Sequence, residues 1–167
     1  MDRRIFNVLF LCTHNSARSV MAEAVLNTIG GDRFKAFSAG SYPSGKPNPF
    51  ALENVKALGY PVESIRSKSW DEFAQPDAAH MDIIITVCDN AAGEACPIWP
   101  GHPATAHWGF PDPAAVDGTD EQKRKAFDDV LVGIRHRIQL LTDLRDEQLV
   151  HLSLTNELKR IAKEAAA

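Results

Sequence analysis

Ile5-Phe6-Asn7-Val8-Leu9-Phe10-Leu11 is followed by Cys12-Thr13-His14-Asn15-Ser16-Ala17-Arg18-Ser19, and then by Val20-Met21-Ala22-Glu23-Ala24-Val25-Leu26-Asn27-Thr28-Ile29, which stops at Gly30-Gly31. The first run is apolar and of strand length, the second is a short polar loop, and the third is helix-forming. Strand, loop and helix in that order aim the loop N–H groups and the positive end of the helix dipole at one small concavity, which attracts anions. Cys12 lies at the strand's end, where those groups would stabilise a thiolate. Arg18 supplies a planar fork suited to two oxygens of a tetrahedral oxyanion. The Ser19 hydroxyl is placed to donate to the sulfur. Nucleophile, anion cradle and charge clamp thus share one loop. The plainer alternative, a buried Cys12 and a surface Arg18, leaves the flanking strand and helix unexplained.

The rest of the chain is consistent with one domain carrying such a site. Its 167 residues are enough for a proper core, and a net charge of -4 without a basic block gives no field for nucleic acid. No apolar run approaches a membrane span. Met1-Asp2-Arg3-Arg4 leads straight into the first strand, so no signal peptide is expected and the cytoplasm is the expected compartment. The three cysteines, Cys12, Cys88 and Cys96, make a poor disulfide framework but suit a nucleophile with two relay partners.

Phe34-Lys35-Ala36-Phe37-Ser38 reads as a second strand ended by Ala39-Gly40, and Gly40 to Pro49 as a loop. Pro49 opens a helix to about Leu58, with Gly59 as its stop. Ser67 to Phe73 is a polar-capped turn that sends Trp70 and Phe73 into the core. Met81-Asp82-Ile83-Ile84-Ile85-Thr86-Val87 has the β-branched middle of a central parallel strand, and it delivers Cys88-Asp89-Asn90 to the same sheet edge as Cys12. Ala91 to Pro97 starts a helix that Gly93 weakens and Pro97 stops. If that stretch is helical, Cys88 and Cys96 lie roughly 12 Å apart along the axis, so a disulfide, which needs Cα atoms within about 7 Å, requires the segment to unwind. Ala104 to His107 is a further strand, leading into Trp108-Gly109-Phe110-Pro111-Asp112-Pro113. Thr119-Asp120-Glu121-Gln122 is a capping box opening a long helix whose Phe127, Val130, Leu131, Ile134, Ile138 and Leu141 form one apolar face. The last stretch, residues 146–167, reads as a partly helical extension of a 1–145 catalytic domain, helical above all from Asn156 with Thr155 as its cap. Alternating strands and helices give an α/β sandwich with a parallel sheet.

Cys12-x5-Arg18-Ser19 after an apolar strand resembles the low-molecular-weight protein tyrosine phosphatase superfamily, and Ser38-Ala39-Gly40 adds to the likeness. The full string from Cys12 to Ser19 resembles the branch that reduces arsenate. The resemblance implies a three-layer sandwich, a four-stranded parallel sheet with helices on both faces. It implies an oxyanion loop of Thr13, His14, Asn15, Ser16, Ala17 and Arg18, with His14 a loop residue only. It also implies that Asp112 of the Asp112-Pro113 pair is the general acid, with Asp117 and Asp120 as rivals. Cys88 and Cys96 then distinguish the branches, because arsenate reduction needs two electrons and phosphoester hydrolysis needs none. The implied chemistry is arsenate reduction through Cys12, Arg18, Ser19, Asp112, Cys88 and Cys96. A thioredoxin-type partner, or glutathione with glutaredoxin, would be the reductant, without an organic cofactor. Some family members hold potassium beneath the loop, and Asn15, Glu23 and Ser38 match three of its ligands. Lys68 stands where the fourth, an aspartate, is expected, so no metal is expected here. A phosphatase acting on phosphoesters and a non-catalytic oxyanion-binding module are the alternatives.

Overall fold

The computed structural model describes residues 4–88, 103–150 and 159–163. Strand β1 (Phe6–Cys12) runs into helix α1 (Arg18–Ile29), followed by β2 (Phe34–Gly40), α2 (Pro49–Ala57), β3 (Ile83–Thr86), β4 (Ala104–His107), α3 (Asp120–Thr142) and α4 (Asp146–Val150). All strand pairings are parallel, in the order β2-β1-β3-β4. The expected four-stranded parallel α/β sheet therefore forms, with β1 central. Parallel strands are covered on both faces, and alternation along β1 divides its side chains accordingly. Phe6, Val8, Phe10 and Cys12 face the core made with α1, α2 and α3. Leu9 and Leu11 face a smaller cluster with Ala39, Trp70, Met81 and Ile84.

Trp70 belongs to a 3-10 turn (Trp70–Phe73) whose cap is Ser69, with its side chain accepting from the Asp71 N–H. Gly59 takes φ +81 after α2, a left-handed conformation that glycine adopts without strain. Thr119 and Gln122 form the capping box at the start of α3, and Phe127, Val130, Ile134, Ile138 and Leu141 are buried along it. Arg33 ties the end of α3 to the start of α4, donating to the carbonyls of Thr142 and Leu144 and pairing with Asp146. Leu149 and Ile161 are buried in the same core as α1. Residues 159–163 are helical. The expected helix after Cys88, with Cys96, and the cap Thr155 with Asn156 lie outside the described residues. Among the described residues no helix is long and apolar enough to cross a membrane.

Candidate active site

Cys12 closes β1 and is buried; Cys88 lies just beyond β3, and β1 and β3 are neighbours. The carboxyl ends of both strands open on the same edge of the sheet. There the Cys12 and Cys88 thiols are hydrogen-bonded to each other, and both are unoxidised. The hydrogen bond with Cys88 and then burial push the Cys12 pKa well above the ordinary thiol range, and the charge of Cys88 adds to the rise. Arg18 and the Thr13 N–H act in the opposite direction. Like charges on two sulfurs this close repel, so the two thiols resist ionising together. Thr13 also donates its N–H to the Cys88 sulfur at 3.2 Å, and its hydroxyl lies 3.5 Å from that atom. This contact was not legible in the sequence, where Thr13 counts only as a loop N–H.

The loop from Thr13 to Ala17 is held from outside by its carbonyls. Thr13 O accepts from Tyr42 N, His14 O from Ser44 N and the Ser67 hydroxyl, and Ser16 O from Asn48 N. A trans peptide sets each C=O antiparallel to the next N–H. The N–H groups of His14, Asn15 and Ala17 are thereby turned inward, and they have no protein acceptor among the described residues. Helix α1 begins without a side-chain cap at Ala17, so its first N–H groups add to the same cradle. His14 carries a loop contact, its Nδ1 lying 3.0 Å from Tyr42 O. Gly40 permits the close approach of the loop: a Cβ there would stand 2.5 Å from Thr13 O and 2.9 Å from Cys12 O.

Asn15 shapes the cradle from beneath. It is buried, its φ is 49, and its side chain satisfies three groups. Its Oδ1 accepts from Lys68 N at 2.9 Å, while its Nδ2 donates to Ser19 Oγ at 2.8 Å and Ser38 Oγ at 3.0 Å. Ser38 in turn donates to Glu23 Oε1 at 2.7 Å. Lys68 Nζ lies 3.8 Å from that same oxygen and donates to Arg66 O. The network therefore contains its own buried cation. A bound potassium ion does not fit this donor set, because the ammonium of Lys68 would repel it from Glu23. The Ser19 hydroxyl oxygen also takes the Asn15 amide, a partner that its place after Arg18 did not indicate.

Arg18 faces the cradle from the start of α1. One terminal nitrogen donates to Phe110 O at 2.9 Å, the other lies 3.8 Å from Asp112 Oδ2, and Nε is buried without a protein partner. The loop carrying Asp112 continues from β4, with Trp108 N on Thr86 O and Phe110 N on Val87 O. Trp108 is buried against Phe10. Asp112 caps the short turn Pro113–Ala115, accepting the Ala114 N–H on Oδ1, and keeps Oδ2 on the side of Arg18. Asp120 instead opens α3, and Asp117 is exposed. Cys12, Cys88, Arg18 and Asp112 are thus gathered at one edge, while Cys96 lies outside the described residues.

The family model for low molecular weight phosphotyrosine protein phosphatases matches residues 7–151. The chain belongs to that family. Within it, the chain is 38% identical over 139 residues to an arsenate reductase of Bacillus subtilis, covering 83% of this chain and 95% of the relative. A crystal structure of an arsenate reductase from Archaeoglobus fulgidus superposes with a TM-score of 0.64 at 29% identity, covering 82% of this chain and 99% of that one. A thioredoxin-dependent arsenate reductase of Corynebacterium glutamicum superposes with a TM-score of 0.56 at 26% identity, covering 84% and 65%. The matched residues include the strand–loop–helix unit of β1, the Cys12 loop and α1.

Proposed function

We propose that the protein reduces arsenate to arsenite with electrons from its own thiols. The reading rests above all on the Cys88 thiol, hydrogen-bonded to the Cys12 sulfur at the floor of an anion cradle. Arsenate is held by the inward N–H groups and Arg18, whose buried Nε has no protein partner. The Cys12 thiolate attacks arsenic, and Asp112 protonates the departing oxygen, which leaves as water. The Cys88 thiolate, favoured by the Thr13 N–H, then attacks the Cys12 sulfur. The sulfur–arsenic bond breaks and its electron pair stays on arsenic, so arsenic(V) becomes arsenic(III) as Cys12 and Cys88 form a disulfide.

Cys96 then attacks Cys88, frees the Cys12 thiolate and leaves a Cys88–Cys96 disulfide for an external dithiol. A thioredoxin-type partner is favoured over glutathione with glutaredoxin by the similarity to the thioredoxin-dependent Corynebacterium enzyme. Such chemistry suits the cytoplasm, where the resting thiols stay reduced. Purified protein is assayed with arsenate, thioredoxin, thioredoxin reductase and NADPH, beside an aryl phosphate. Arsenate-dependent NADPH oxidation is expected. Aryl phosphate hydrolysis without any arsenate turnover, under either thiol system, would assign the chain to the phosphatase branch instead.

A further inference from the structure

Arg137, on α3, is buried, yet among the described residues no carboxylate pairs with it. Among the described residues its one hydrogen-bond acceptor is Gly109 O, at 3.1 Å, and its Nε is buried without a partner. The guanidinium carbon lies 4.3 Å from the centre of the Phe110 ring. One turn earlier on α3, a Cβ at Gly133 would stand 3.5 Å from the same ring, so Phe110 sits in a slot between Gly133 and Arg137. The next carbonyl along, Phe110 O, is the acceptor for Arg18. Two guanidinium groups from two helices therefore grip consecutive carbonyls of the loop that carries Asp112.

A buried cation without a counter-ion is expensive, and a methionine of similar length would fill the space without that penalty. The stacking and the Gly109 bond explain the expense if the loop must be held in one place. We propose that Arg137 is a positioning residue: by clamping the Gly109–Phe110 peptide it holds Asp112 over the oxyanion cradle. The inference rests on the reading of Asp112 as the acid of arsenate reduction. A misplaced acid loses rate steeply, since a shift of about 1 Å can cost on the order of a hundredfold.

The test uses the full-length, pre-reduced protein in single turnovers at saturating arsenate, with arsenite formation followed by rapid quench. Arg137→Met should lower the rate about tenfold or more, leave the inhibition constant for inorganic phosphate within about twofold of wild type, and hold or raise the melting temperature. Arg137→Lys, which keeps a donor for Gly109 O, should recover part of the rate. In an Asp112→Asn background Arg137→Met should add almost nothing, because the group it positions is already gone. An unchanged rate, a loss that appears in the phosphate constant, a loss that multiplies independently with Asp112→Asn, or a fall in melting temperature that accounts for the lost rate would each overturn the proposal. If Asp112→Asn itself keeps the wild-type rate, the assignment of the acid fails and the inference falls with it. If Asp112→Asn is impaired and Arg137→Met is not, only the inference falls.

Discussion

Replacing Lys68 by methionine should destabilise the protein by an amount that grows with pH. The wild-type carboxyl of Glu23 is buried, and burial pushes its pKa up despite the opposing effects of Lys68, the Ser38 hydroxyl and Arg66. Burial likewise pushes the pKa of Lys68 down, against the pull of Glu23. At a separation of 3.8 Å the pair attracts by about 4 kcal/mol at an effective dielectric of about 20. Methionine removes that attraction, and Glu23 responds by holding its proton to higher pH. A carboxyl whose folded pKa lies above its unfolded value stabilises the fold below the unfolded pKa and loses that contribution as pH rises.

From the ordinary value of 4.5, keeping the group protonated costs at most about 1.4 kcal/mol at pH 5.5 and about 4 kcal/mol at pH 7.5. Lys68→Met should therefore lose up to about 3 kcal/mol more at pH 7.5 than at pH 5.5, less whatever share of the burial penalty wild type already bears. Urea unfolding of both proteins at the two pH values, under reducing conditions, measures it. Adding Glu23→Gln should remove the pH dependence of the difference. Equal losses at both pH values, a smaller loss at pH 7.5, or a pH dependence that survives Glu23→Gln would refute the assignment of Lys68 as the internal counter-ion.

Cys88→Ala should move alkylation of Cys12 by iodoacetamide to lower pH, because the hydrogen bond and the like charge that raise its pKa are both removed; peptide mapping against pH tests this, and an upward shift would contradict it. Cys88→Ser should stall before arsenite release, whereas Cys96→Ser should release arsenite once and accumulate Cys12–Cys88. Mapping of the disulfides after one turnover separates the two, and unchanged multiple-turnover reduction in both variants would dismiss the relay. Gly40→Ala should weaken phosphate binding by tenfold or more, about 1.4 kcal/mol, since its Cβ would meet Thr13 O at 2.5 Å and push the cradle out of shape. Binding within twofold of wild type, measured by calorimetry, would mean that the loop yields without consequence.

Much of this architecture follows from local chemistry that a sequence displays directly. The run Phe6–Cys12 is strand-forming because it is apolar, α1 and α3 because their residues favour helix, and the turns at Gly59 and Thr119 because glycine and a capping box stop and start helices there. The Cys12-to-Arg18 spacing announces an oxyanion loop for the same reason: one short loop and one helix end carry the whole cradle. What tertiary structure alone decided involves groups far apart in the chain. Thr13 and Cys88 meet only because β1 and β3 are neighbours, which turns a loop N–H toward the second thiol. Ser19 gives its oxygen to Asn15 because the buried network beneath the loop has to satisfy every polar group it contains. The sequence sets Lys68 where the resemblance expects an aspartate, but its approach to Glu23 depends on how the Ser67–Ser69 segment pairs alongside the end of β2. Arg137 reads as an ordinary helix-face arginine, and only the packing of α3 against the Asp112 loop buries it over Phe110. Periodicity and motif spacing report forces acting along the chain, whereas burial and electrostatic pairing depend on which distant segments come to share one dry volume.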